Sequence, residues 1–194
     1  NDIDLAAVDL TNIPLNSIKQ IEIIRGNAGS VLYGDGAVGG VVNIVTKSPV
    51  NRPNSADIDY AIGQQQRHET NMSVSQSRGR YSLNLSSNFV QANGFRDNND
   101  LLQRNALGQL RYTGNRGEAF IKLGGDFQSL GLPGARLIDR GAGTDEFISA
   151  SNEAATPFDK ALQNGLRLGL GITRELSNGT ELIVDGGLRK KDQD

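Results

Sequence analysis

A mostly β protein, antiparallel through its larger part, is what this sequence predicts, and three observations carry the prediction. Between about residue 56 and residue 188 the chain is a series of segments in which apolar residues recur at every second position, the period of a strand with one apolar face. Only 37% of the 194 residues are apolar, which is low for a soluble core of that size but suits strands in which half the positions are polar. Between residues 48 and 54 the run SPVNRPN separates this alternating part from a glycine-rich module of different texture.

The module comes first in the chain. Residues 1–12 hold one short apolar run, Leu5-Ala6-Ala7-Val8, and read as a loop or edge segment. Pro14, followed by Leu15-Asn16-Ser17, suits the first turn of a helix, where a missing N–H costs nothing. Ile21, Ile23 and Ile24 then form an apolar run ending at Arg25-Gly26, and a second run from Val41 to Val45 ends at Thr46-Lys47. Both predict buried strands of about five residues. Gly26, Gly29, Gly34, Gly36, Gly39 and Gly40 predict a tight turn system between them, in which backbone passes close to backbone. Residues 28–33 fit one helical turn.

The string Ile21-Glu22-Ile23-Ile24-Arg25-Gly26, then Val31-Leu32-Tyr33-Gly34, then Ala37-Val38-Gly39-Gly40-Val41-Val42-Asn43-Ile44-Val45-Thr46-Lys47, resembles the end of the plug domain of TonB-dependent outer-membrane receptors. One departure is Asn27, where many members have proline after the Arg-Gly pair. The resemblance implies that residues 1–48 are the C-terminal part of a plug and residues 49–194 the N-terminal part of a transmembrane β-barrel, about seven strands of it. The expected fold is therefore a plug end followed by antiparallel barrel strands, an incomplete barrel and a fragment. A rival motif lies in the same stretch: Gly34-Asp35-Gly36-Ala37-Val38-Gly39 fits G-x-G-x-x-G, the dinucleotide fingerprint. That fingerprint opens a helix, whereas the β-branched run from Val41 to Val45 follows here, so no nucleotide cofactor is expected.

The alternating part reads strand by strand. Ala56, Ile58, Tyr60 and Ile62 share a face, then Met72 and Val74, then Tyr81, Leu83, Leu85 and Phe89, then Leu110 and Tyr112. Ala119, Ile121, Leu123 and Phe127 oppose Lys122, Asp126 and Gln128. Leu166, Leu168, Leu170 and Ile172 oppose Arg167 and Thr173, and Leu182, Val184 and Leu188 oppose Asp185 and Arg189. These are seven strands, each near the roughly 9 to 11 residues that span a bilayer when tilted. Tight turns are expected around Gly79, at Asn115-Arg116 and at Asn178-Gly179, with long connections at residues 91–100 and 129–160; the hairpin at Gln64-Gln65-Gln66 is the short exception. Short turns at one end and long loops at the other are the barrel arrangement, the long loops lying outside the cell.

On alternation alone, a soluble β-sandwich and a membrane barrel are both compatible with this half. The plug resemblance decides for the barrel, with Ile121, Leu123, Leu168, Leu170 and Val184 facing lipid, and Lys122, Asp126, Arg167 and Asp185 facing the lumen. A soluble or cell-surface β protein with a structural or adhesive role is the alternative from another class.

Composition narrows the chemistry. There is no cysteine, hence no disulfide, thiolate metal site or cysteine nucleophile, and His68 is the only histidine, expected as a solvated hairpin residue. A formal charge of -2 argues against a nucleic-acid surface. Residues 97–100 (DNND) and 139–146 are oxygen-rich but lack EF-hand spacing, so no metal site, catalytic residue or cofactor is expected, and no enzyme. The resemblance implies instead an outer-membrane transporter of a Gram-negative bacterium that takes up a scarce nutrient, an iron-siderophore complex or cobalamin. Its partners would be that ligand, outer-membrane lipid and the TonB energy-transducing complex, whose contact box is not among these residues. It also implies that Gly26, Tyr33, Gly34, Gly39, Gly40 and Asn43 belong to the plug motif. Arg25 would pair with barrel glutamates beyond Asp194 and lock the plug in place.

Overall fold

The structure, a computed structural model, describes residues 13–25, 40–48, 53–136, 138–139, 146–147, 152–176 and 179–194. Pro14, with φ of -56°, starts a single 3-10 turn over Leu15–Ser17. The Ser17 hydroxyl donates back to the Pro14 carbonyl at 2.6 Å, which closes the turn without a longer helix. Strand β1 (Ile18–Arg25) then pairs antiparallel with β2 (Gly40–Thr46). These strands are 8 and 7 residues long, longer than expected, and they are not buried: Ile21, Ile23, Ile24 and Val42 stand exposed. A ribbon of two strands covers only its own hydrogen-bonding edge, so its faces depend on other elements for burial. The helical turn expected at residues 28–33, the linker at 49–52 and the turn residues Ser177 and Asn178 lie outside the described residues.

Seven further strands make one antiparallel sheet: β3 (Ser55–Gly63), β4 (Arg67–Arg78), β5 (Tyr81–Ala92), β6 (Leu101–Gly114), β7 (Gly117–Gly131), then β10 (Lys160–Glu175) and β11 (Glu181–Gln193). Two short strands, β8 (Ile138–Asp139) and β9 (Glu146–Phe147), pair with each other in the loop after β7. The large sheet is a meander in which each strand pairs with its neighbours in sequence, and it is open, with β3 and β11 at its two edges. Its strands run from 9 to 16 residues, several of them longer than the bilayer requires, so their ends project beyond it.

Register fixes the faces. Leu168 lies opposite Leu123 on β7 and Leu188 on β11, Leu123 opposite Gly108, Gly108 opposite Leu85, and Leu85 opposite Val74. Directly paired residues share a face, so the apolar positions of all seven strands form one continuous surface. That surface is the exposed one: Leu123 is 57% exposed and Leu188 73%. The buried side chains are polar, among them Asn84, Ser86, Asn88, Asn105, Gln109 and Asp126. Among the described residues only Val90, 5% exposed, is a buried large aliphatic side chain. A water-soluble sandwich would show the reverse, so this sheet is built for a bilayer on one side and water on the other.

Aromatic residues mark the limits of the apolar band. Tyr81 and Tyr112 pair with ring centroids 5.2 Å apart at the end with short turns, and Phe89 and Phe127 flank Arg104 toward the end with long loops. Eight residues separate Tyr81 from Phe89, about 27 Å along the strand at about 3.4 Å per residue. With strands tilted by about 40° this is about 21 Å of height, close to the apolar band of about 25 Å that aromatic girdles bound.

Candidate functional site

The N-terminal module rests on the polar face of the large sheet. Asn16 reaches across with its amide, donating to the Met72 carbonyl at 2.8 Å and to the Ser87 carbonyl at 3.4 Å, carbonyls of two residues paired across β4 and β5. Pro14 and Ser17 on either side of it are the most deeply buried side chains described. Farther along the sheet, Ile13, Pro14 and Thr46 share a cavity of about 340 Å³ with Lys122, Gly124 and Arg167. The polar wall therefore faces the module, while the apolar wall faces away from it.

Within the module, β1 and β2 are matched by specific contacts. Glu22 lies opposite Asn43, whose amide donates to the Glu22 carboxylate at 2.8 Å; Gln20 donates to the same carboxylate. Gly40 lies opposite Arg25 with φ of +139°, and a Cβ there would stand 2.6 Å from the Ile24 carbonyl oxygen. Only glycine fits that approach. Arg25 is exposed at the end of β1, and among the described residues no carboxylate pairs with it. Of the other residues singled out in the sequence, Gly26, Tyr33, Gly34 and Gly39 lie outside the described residues.

The polar wall carries charges arranged in pairs. Arg167 lies 3.4 Å from the buried Asp126 carboxylate, and Arg111 pairs with Glu118. Small residues make the space. Gly165 lies opposite Asp126, where a Cβ would come within 2.5 Å of the carboxylate oxygens, and Gly171 lies opposite Phe120, where it would come within 2.3 Å of the ring. Arg111 and Lys122 both lie against that ring, at 5.5 and 5.2 Å from its centre. Such a wall suits a polar partner. Among the described residues no three metal-ligating side chains cluster.

At the loop end a second network ties the loop of residues 93–100 to the one of residues 132–159. Arg96 donates to the carbonyls of Pro133, Gly134 and Glu153, the shortest at 2.7 Å to Gly134. Asn98, at φ of +51°, gives its side-chain amide to the carbonyls of Leu132, Thr156 and Asp159. Asp100 and Lys160 add an exposed ion pair at 3.7 Å. Arg96 does not stand out in the sequence, because an arginine in a polar loop looks like a solvated residue, and Asn98 stands out there only as part of the oxygen-rich run 97–100, not as a donor to carbonyls of another loop. His68, directly after the first hairpin turn, is partly exposed, and its Nδ1 lies 2.7 Å from the Tyr60 hydroxyl.

Comparison with known proteins adds to this geometry. The TonB-dependent Receptor Plug Domain family matches residues 1–41. Vitamin B12 transporter BtuB of Photobacterium profundum is 50% identical over 42 residues, 22% of this chain and 7% of the relative. Ferric enterobactin receptor PirA of Pseudomonas aeruginosa is 50% identical over 40 residues, 21% of this chain and 5% of that protein. The crystal structure of the ferric-catecholate import receptor Fiu of E. coli K12 superposes with a TM-score of 0.71 at 17% identity, covering 91% of this chain and 29% of Fiu. The chain thus matches less than a third of the length of each of these proteins.

Proposed function

Because this chain is a segment of a TonB-dependent receptor of the Gram-negative outer membrane, we propose that the whole receptor takes up a scarce nutrient, cobalamin or an iron-siderophore complex, by TonB-driven movement of its plug. On this reading residues 1–48 are the end of the plug and residues 49–194 the first seven strands of the barrel, and the ligand crosses without any bond being made or broken. The observation that carries the reading is the seating of the module on the polar wall. Asn16 holds it by two carbonyls of the sheet, a grip weak enough to be broken and remade, while the wall behind it is polar rather than apolar. The two ligand classes are those named in the relatives, a cobalamin transporter and ferric-siderophore receptors.

Cells carrying the full-length receptor should accumulate labelled cobalamin or a labelled ferric siderophore, and should stop doing so when TonB is deleted. Equal uptake with and without TonB overturns the reading. So does binding of cells to surfaces with no uptake of either ligand, which is the outcome for an adhesive protein.

Arg25 is the lock in this scheme. It stands at the end of a plug strand without a carboxylate among the described residues, and an arginine enclosed by a barrel needs a partner. By the same resemblance, Gly26, Tyr33, Gly34, Gly39, Gly40 and Asn43 are the plug motif that accompanies it in sequence. Arg25→Ala in the full receptor should lower uptake while ligand binding at the cell surface stays near wild type; wild-type uptake by that variant removes the lock.

A further inference from the structure

On the outward, apolar face two hollows run into each other near the loop end of the sheet. The larger, about 910 Å³, is walled by Leu123, Leu166, Leu168 and Leu188 over Ala106 and Gly125. The smaller, about 520 Å³, shares Ala106, Gly125, Leu166 and Lys190 with it and adds Arg104, Phe127 and Asp192. Arg104 points outward from β6, exposed, with its guanidinium 5.7 Å from the centre of the Phe89 ring and 6.0 Å from that of Phe127. Among the described residues those ring contacts are its only interactions, so its N–H donors have no carboxylate or carbonyl to bond. Asp192, the one outward carboxylate in the smaller hollow, is held by Lys190 at 3.1 Å.

A cation on a lipid-facing wall is costly unless it sits at the boundary where a headgroup meets it. Arg104 is at that boundary, on the side of the long loops, with aromatic residues on both flanks and an apolar hollow leading away from it into the bilayer. We propose that these hollows bind one phosphorylated, acylated lipid of the outer leaflet, its phosphate on Arg104 and an acyl chain in the larger hollow. Arginine matches phosphate with paired N–H donors, and the flanking rings hold the guanidinium in place. Continuity of the cation with an apolar hollow selects a lipid over a free anion, and the positive charge selects a phosphorylated lipid over a neutral one. The site is separate from the transport reading and rests on the lipid-facing orientation of the wall.

The test uses the full-length receptor in mild detergent and native mass spectrometry, with three probes: a phosphorylated acylated glycolipid, the same lipid after dephosphorylation, and inorganic phosphate. Wild type should retain the phosphorylated lipid, and Arg104→Gln should retain about five- to tenfold less, the weight of one interfacial cation. Gly125→Leu keeps the cation but fills the hollow; its Cβ would meet nothing closer than 3.8 Å, so the strand accommodates it, and retention should again fall. Arg174→Gln, an outward arginine at the turn end, should retain lipid as wild type does. Equal retention by Arg104→Gln, equal binding of the dephosphorylated lipid, or full displacement by inorganic phosphate each overturns the site. Maleimide labelling of a Leu123→Cys receptor separates the two failures. A cysteine shielded by detergent alongside unchanged lipid retention overturns the site alone. One labelled as freely as a loop cysteine overturns the orientation beneath it.

Discussion

In the two-stranded sheet of the module, individual residues are held by contacts that other residue types do not make; in the seven-stranded sheet most positions require only a polarity. Gly40 has a carbonyl where a Cβ would go, and Asn43 gives its amide to Glu22. Across the large sheet, by contrast, the row from Val74 through Leu85, Leu123 and Leu168 to Leu188 would keep its character with any apolar side chains, since they touch lipid rather than a packed core. The difference teaches that one chain carries two kinds of specification: a local one written in particular side chains, and a distributed one written in alternation.

The strongest test of this contrast removes the sheet from its surroundings. Both edges of the large sheet, β3 and β11, present unpaired backbone groups, and in hydrocarbon each such group costs several kcal/mol, a total on the order of 10 kcal/mol or more. Residues 1–194 expressed alone should therefore aggregate or stay partly unfolded, whereas the same segment within the full receptor folds. A monodisperse, detergent-free monomer with a cooperative melt would break the contrast at its root, because then the exposed apolar face would not need lipid.

Polarity is tested next. Leu168→Arg in the full receptor should destabilise the barrel by about 2 to 4 kcal/mol if the residue sits near mid-bilayer, read as a lower unfolding midpoint in a membrane-mimetic titration. Leu168→Val should be nearly neutral. Equal tolerance of arginine at residue 168 and of leucine at residue 167 would remove the assignment of faces.

The smallest effect expected is in the module. Gly40→Ala places a Cβ against the Ile24 carbonyl in a backbone conformation that favours glycine, and should cost about 1 to 3 kcal/mol, confined to plug stability. Protease sensitivity of the plug, with the barrel unchanged in its heat-modified mobility on gels, would measure it. A variant as resistant as wild type would show that β1 and β2 separate at little cost.

What could be read from the chain follows the same division. Alternation marked all seven long strands, because one face in lipid and one in water leaves a period of two that neighbouring sequence does not disturb. The starts of β6 and β10 were harder to see, since Gln103, Arg104, Gln163 and Asn164 mix both characters where the sheet leaves the bilayer. Tyr81, Tyr112, Phe89 and Phe127 were visible as strand residues, but their role as two girdles required the register that aligns them across strands. In the module, Ile21, Ile23 and Ile24 suggested burial because apolar runs normally supply cores, yet a two-stranded ribbon has no second layer of its own. Asn16 was hidden for a different reason: its acceptors are main-chain carbonyls some 56 and 71 residues away, and no side-chain pattern announces a main-chain partner.

The bonds of Arg96 and Asn98 have an implication for how such a surface changes over generations. Every acceptor they use in the 132–159 loop is a main-chain carbonyl, of Leu132, Pro133, Gly134, Glu153, Thr156 and Asp159. Main-chain oxygens are the same whatever side chains surround them. Side chains at Leu132, Glu153, Thr156 and Asp159 can therefore change without removing these acceptors, while the described ends of the loop stay tied to two residues that lie in a different part of the gene. Position is set by one segment and side-chain identity by the other, so the two can vary separately at these contacts.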